Sequence, residues 1–262
     1  MLLLVDAGNT RIKWALVDAR ADLGNWASYG AMFHKDLDSL GEAWRELSIR
    51  RVLVSNVAGV AMREKIERAL LQAAGMKPVP VEWFASSALR AGLSNSYRHP
   101  AQLGCDRFAS AIGAHAVFPD RPLIVATCGT ATTVDAVTAD GVFQGGMILP
   151  GLGLMASSLA RNTAQLPQVG EAISVPRIFA DNTDDAIISG CIAAQAGAIE
   201  RAVAAMTYEH GPVHCVLSGG AGAMIAPHLS IVAETVDNLV LIGLHAVSRS
   251  EAPIQANAMP TP

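Results

Sequence analysis

The constraint that most narrows what this chain can fold into is a repeat. Leu2-Leu3-Leu4-Val5 is a short apolar run that ends in Asp6-Ala7-Gly8-Asn9-Thr10, and strand-like sequence resumes from Arg11 to Val17. Leu123-Ile124-Val125-Ala126 likewise leads into Cys128-Gly129-Thr130-Ala131-Thr132-Thr133, and Thr133 to Val137 continues as a strand before a turn at Asp140-Gly141. A strand, a glycine–threonine turn and a second strand therefore occur twice, which predicts two similar α/β domains with a cleft between them. Two facing turns of this kind would grip a triphosphate from both sides.

The chemistry of the first turn fits that use. Gly8 lets a phosphate approach the backbone and leaves N–H donors exposed, Asn9 and Thr10 add short polar reach, and Lys13 supplies a cation. Asp6 would repel phosphate unless a magnesium ion lay between them, and hard oxygen ligands suit that ion. Alone, the motif reads equally well as an ordinary hairpin with an Asn–Thr turn; the second copy favours the cleft.

Elsewhere the pattern alternates. Strands are predicted at 52–55, 79–84, 142–149 and 213–217, and helices at 62–74, within 100–117, at 152–161 and at 184–206. Pro119 to Pro122 marks the expected boundary, dividing the chain into 1–118 and 119–262. Ser218-Gly219-Gly220-Ala221-Gly222, between a strand and a helix, is a further close-approach surface, for an adenosine or phosphate group or for packing alone. Gly151-Leu152-Gly153-Leu154-Met155-Ala156 superficially matches a dinucleotide fingerprint, with Glu171 near the ribose-ligand spacing. Pro167 spoils a regular βαβ unit, so the segment reads as helix-start packing.

Composition removes several classes. A net charge of -4 without a basic cluster argues against nucleic acid. Met1 to Val5 lacks a basic flank and is not read as a secretory signal, and no segment is read as a membrane span. The scattered Cys105, Cys128, Cys191 and Cys215 lack metal-ligand spacing and read as reduced thiols of a cytoplasmic protein, mostly small buried hydrophobes. His210 and His214 have helical spacing, but Gly211-Pro212 interrupts any helix between them, and no metal role is assigned.

The most reactive-looking segment is Tyr97-Arg98-His99-Pro100-Ala101-Gln102-Leu103-Gly104-Cys105-Asp106-Arg107-Phe108. It admits two readings. Asp106 is a helix cap with Arg107 a solvated charge, or the two are a reactive pair at a helix start, where a carboxylate is electrostatically favoured.

Taken together, Asp6-x-Gly8-Asn9-Thr10, Tyr97, Gly104-x-Asp106-Arg107, Gly129-Thr130-Ala131-x-Thr133-x-Asp135, Pro150-Gly151, Thr163-Ala164-x-Leu166-Pro167 and Asn182-Thr183 resemble the type III pantothenate kinases, in order along nearly the whole chain. The resemblance implies two ribonuclease-H-like domains of the actin/hexokinase type, with ATP and pantothenate meeting in the cleft of a homodimeric, cytoplasmic enzyme of coenzyme A biosynthesis. It implies that Asp6, Gly8, Asn9, Thr10, Lys13, Gly129 and Thr130 hold the nucleotide and its magnesium. Tyr97, Gly104, Cys105, Asp106, Arg107 and Thr183 would hold pantothenate, with Asp106 as general base and Arg107 forking onto the substrate carboxylate. The family pattern has an acidic residue supporting a monovalent cation, potassium or ammonium, where this chain has Thr127, so the cation requirement is expected to be weakened or met by other oxygens. A kinase of another small alcohol, or a non-catalytic accessory protein on the same fold, are the alternative readings.

Overall fold

The computed structural model describes residues 1–18, 20–163 and 177–250. The chain opens with the expected hairpin, β1 (Leu2–Ala7) antiparallel to β2 (Arg11–Val17), followed by β3 (Ser28–Phe33), α1 (Leu40–Ala43), β4 (Arg51–Asn56), α2 (Val60–Ala73) and β5 (Val81–Trp83). These strands form one sheet in the order β3-β2-β1-β4-β5, with β4 and β5 parallel to β1. Two short strands, β6 (Leu89–Arg90) and β7 (Leu93–Asn95), precede α3 (Cys105–Val117). The second hairpin, β8 (Leu123–Cys128) and β9 (Ala131–Val137), continues through β10 (Val142–Pro150), α4 (Leu152–Asn162), α5 (Thr183–His210), β11 (His214–Ser218), α6 (Gly222–Ile225), β12 (Ala233–Thr235) and α7 (Leu239–Ser250).

Within the second sheet, ordered β12-β11-β8-β9-β10-β7-β6, the run β10-β9-β8-β11-β12 reproduces the order and directions of the first sheet. The sequence repeat is thus a repeat of whole sheets. Residues 89–95 extend the second sheet at its β10 edge, so sheet membership changes between β5 and β6, well before the boundary expected at 118/119. Ala164, Leu166 and Pro167 of the quoted motif, and Glu171, lie outside the described residues.

The apolar runs at 2–5 and 123–126 are explained by burial on both faces of each sheet. Leu2 and Leu4 pack with Leu123, Val125, α3 and α7 in one core, while Leu3 and Val5 point the other way, toward α1 and α2. Ile124 and Ala126 face a third core built with α5. The result is a layered molecule in which α3 and α7 form a shared middle layer between the two sheets.

Those two helices cross very closely. A Cβ on Gly113 would meet the Gly243 backbone nitrogen at 2.8 Å, and one on Gly243 would run into the Ala109 carbonyl oxygen. Neither site has room for a methyl group.

One sequence expectation is corrected. By length and composition α5, with 28 residues and an 18-residue window of mean hydropathy 1.2, is apolar enough to cross a membrane, although 44% of that window is buried within the protein. Its apolar character is explained by packing on β8, β9 and α4.

Gly243→Ala is expected to cost about 3 kcal/mol, the upper end of overpacking penalties, and to lower Tm by roughly 6–12 °C. A thermal melt unchanged from wild type would show that the crossing has slack.

Candidate active site

The two hairpin turns meet. Thr10 Oγ1 lies 2.6 Å from Thr130 Oγ1, although the hairpins whose turns they occupy belong to different sheets. Around this contact opens a cleft of about 470 Å³ lined by Asp6, Gly8, Asn9, Thr10, Lys13, Asp106, Arg107, Thr127, Gly129 and Thr130. The Gly219-Gly220-Ala221 turn lines it too, with Met224 and Val240 supplying apolar wall.

The second turn is braced from behind by its own domain. Gly151 N–H donates to the Thr130 carbonyl at 2.9 Å, and Ala221 N–H to the Cys128 carbonyl at 3.0 Å. The Gly151 segment therefore serves packing at a helix start, as expected. At Gly8 and Gly129 an added Cβ would find its nearest neighbour at 3.5 Å, an ordinary contact. Packing within the fold does not demand glycine at either position, and both line the cleft.

Asp106 sits in the first turn of α3, whose N-cap is Gly104. Its Oδ1 accepts the Arg107 N–H at 2.8 Å. A side chain at Gly104 would place a Cβ 2.8 Å from that same oxygen, so any other residue there would have to push the carboxylate out of this position. Burial raises the Asp106 pKa, opposed by the Arg107 N–H and the Arg107 charge. Asp6, on β1 facing Lys13 of β2, is pushed up to about 7, first by burial and also by the Asp106 charge, against the pull of Lys13 and Arg11. Two carboxylates thus converge on one cleft in an environment that disfavours their charge.

Arg107 departs from expectation. It is 7% exposed, and its Nε and Nη2 edge grips the buried Asp135 carboxylate, with Nε–Oδ1 at 3.1 Å. Nη1 donates to the Tyr97 hydroxyl at 2.9 Å. The side-on fork is therefore filled from within, because a buried guanidinium needs a counterion; hydrogens on Nη1 and Nη2 remain for a ligand. Burial pulls the Arg107 pKa down, and Asp135 and Tyr97 more than offset it. Burial pushes Asp135 the opposite way from Arg107, and we take the pair as ionised because a guanidinium keeps its proton throughout the pH range of the folded state. A Cβ on Gly146 of β10 would strike Asp135 and approach Arg107 Nη2 at 2.8 Å, so the pair depends on that glycine.

Four residues implied as substrate ligands, Tyr97, Gly104, Cys105 and Thr183, do not line this cleft. The Cys105 thiol points to the end of β4, 3.4 Å from Ser55 Oγ and 3.6 Å from the Asn56 carbonyl. Thr183 starts α5 and lines a second cavity of about 920 Å³ with Pro150, Met155 and Leu159. Tyr97 touches the cleft through Arg107. His210 closes α5 before Gly211 at φ 78, and His214 lies on β11, confirming the helix break.

Residues not foreseen also contribute. Arg11 lines the cleft and reaches across it, with Nη2 at 3.4 Å from where a Gly220 Cβ would stand. Asn238, immediately before α7, accepts a hydrogen bond from Lys13 Nζ at 3.0 Å. The Arg11 charge was readable beside the first turn; the distant partners were not.

Asp135→Ala is expected to leave Arg107 buried without a counterion and to cost about 3–5 kcal/mol in urea unfolding. A midpoint within error of wild type would mean that Arg107 finds water or another partner.

Comparison with known proteins is consistent along the chain. The family model for type III pantothenate kinase matches residues 2–205. A type III pantothenate kinase of Janthinobacterium sp. (strain Marseille) is 62% identical over 258 residues, covering 97% of this chain and 99% of its own, and one from Herminiimonas arsenicoxydans is 61% identical over 95% and 97%. Among solved structures, a protein named as a 2-dehydro-3-deoxygalactonokinase from Sinorhizobium meliloti superposes with a TM-score of 0.60 at 16% identity, covering 97% of this chain and all of the other, a likeness of fold.

Proposed function

This chain belongs to the type III pantothenate kinase family and phosphorylates pantothenate to 4'-phosphopantothenate with ATP, the first step of coenzyme A biosynthesis, and from that premise we propose how its residues divide the work. The observation that carries the assignment is the meeting of Thr10 and Thr130 across a cleft that also holds Asp106.

The nucleotide phosphates lie between the turns, against the N–H groups of Gly8 to Thr10 and Gly129 to Thr130, with Lys13 and Arg11 offsetting their charge. Asp6 and the threonine hydroxyls are hard oxygen donors, and a carboxylate raised to about 7 by burial gains from a cation beside it. The site therefore fits magnesium, an ion usually shared between one or two carboxylates and substrate phosphates. When bound, it would neutralise phosphate charge. Asp106 orients the primary hydroxyl of pantothenate and accepts its proton, and its raised pKa makes it a better base than an exposed carboxylate. Arg107, held by Asp135 and Tyr97, offers its remaining hydrogens to the pantothenate carboxylate. Positioning and charge compensation supply most of the acceleration.

Thr127 has a buried hydroxyl with no hydrogen-bond partner among the described residues, at the end of β8 inside the cleft. A neutral oxygen there binds a monovalent cation less strongly than the carboxylate of the family pattern. Activity is expected to be nearly equal in potassium, ammonium and a bulky inert cation; strict dependence on potassium would refute the weakened requirement.

A homodimer is supported by the exposed Met147, Ile148, Leu154 and Leu159 on β10 and α4. We assign a cytoplasmic enzyme without nucleic-acid or membrane partners, a reading supported by the net charge of -4 and four free thiols.

Asp106→Asn is expected to fold and bind MgATP while turnover falls by about a hundredfold to ten-thousandfold. In wild type with saturating MgATP, kcat/KM for pantothenate should fall as pH drops through a pKa above the ordinary carboxylate value, since the base must be ionised. Undiminished ADP release by the variant would remove Asp106 from the mechanism.

A further inference from the structure

We propose that Asn238 is a positioning residue that draws the Lys13 ammonium away from Asp6, leaving the Asp6 carboxylate free to share a magnesium ion with the nucleotide. The inference rests on the reading of the cleft as a magnesium–nucleotide site.

Asp6 and Lys13 are direct cross-strand partners in the β1–β2 hairpin. Opposed residues on one face of an antiparallel pair have their Cβ atoms about 5 Å apart, and opposite charges in that arrangement normally pair. Here they do not: among the described residues no ion pair joins them, and Lys13 Nζ instead donates to Asn238 Oδ1 at 3.0 Å. The same oxygen accepts from the Tyr29 hydroxyl at 3.3 Å, so it is fixed from two directions. The other charged groups near Lys13 are Arg11 on its own strand and Asp237 beside Asn238.

The backbone is built for this placement. Asn238 has φ 58, a left-handed conformation that a non-glycine residue adopts at a cost and that asparagine tolerates better than most. It precedes α7, whose next residue but one, Val240, lines the cleft. A neutral amide oxygen suits the task. It directs the ammonium by hydrogen bonding without neutralising it, so Lys13 stays cationic toward phosphate while Asp6 stays unpaired toward metal.

The test is calorimetric titration of ADP at graded magnesium chloride concentrations, without pantothenate, so the result is independent of whether the enzyme turns that substrate over. Asn238→Gly keeps the left-handed backbone and removes the acceptor. It is expected to weaken MgADP binding by about tenfold and to raise the magnesium needed for half-saturation, in the range seen when an outer partner of a metal ligand is lost. On a Lys13→Met background the same change is expected to add nothing. Asn238→Asp keeps an oxygen on Lys13 but offsets its charge, so it is expected to weaken ADP binding while leaving the magnesium needed for half-saturation within about threefold of wild type, which separates lost positioning from a simple folding defect. Binding by Asn238→Gly equal to or tighter than wild type, or a full tenfold loss persisting without Lys13, would overturn the proposal.

Discussion

The crossing of α3 and α7 at Gly113 and Gly243 holds the rest of the arrangement in register. Because no side chain stands between the helices, their backbones come close enough for both to fit in a single layer between the two sheets. Each helix then begins at the cleft. The start of α3 carries Asp106, and the residue before α7 holds Lys13. The spacing between Asp106 at one helix start and Lys13, bonded to the residue before the other, therefore depends on how closely those glycines let the helices pack.

Electrostatics in the cleft follow one rule, that buried charges are either paired from within or left for a ligand. Arg107 is paired, by Asp135, in a niche that exists only because Gly146 lacks a side chain. Asp6 and Asp106 are left, and burial raises both. Arg11 and Lys13 supply positive charge between them. A polyanion carrying its own divalent cation, as proposed for this cleft, would meet each of these demands at once.

Much of this was readable in the residues and some was not, for physical reasons. The strands at 2–5 and 123–126 were evident because burial on both faces demands unbroken apolar runs, and the turns because glycine and threonine punctuate them. α7 was not foreseen: Leu239-Val240-Leu241-Ile242 is buried all round between two sheets, so it shows no polar stripe to betray its period. β3 alternates half-buried and exposed residues with a glycine at its centre, a weak pattern by itself. The Arg107–Asp135 pair and the Lys13–Asn238 bond join residues 28 and 225 positions apart, and spacing along a chain says nothing about such partners. Cys105 was assigned to the substrate by its place in a motif, whereas helical geometry turns its thiol toward Ser55.

The lacing of the chain has an evolutionary consequence. After completing the first sheet it contributes β6 and β7 to the edge of the second, lays α3 between the sheets, builds the second, and returns α7 to lie against β1 and β4. Neither half owns all the pieces that cover its apolar surfaces. A gene split at the midpoint would encode two fragments with uncovered apolar faces instead of two modules, so the two like sheets cannot be shuffled as separate parts.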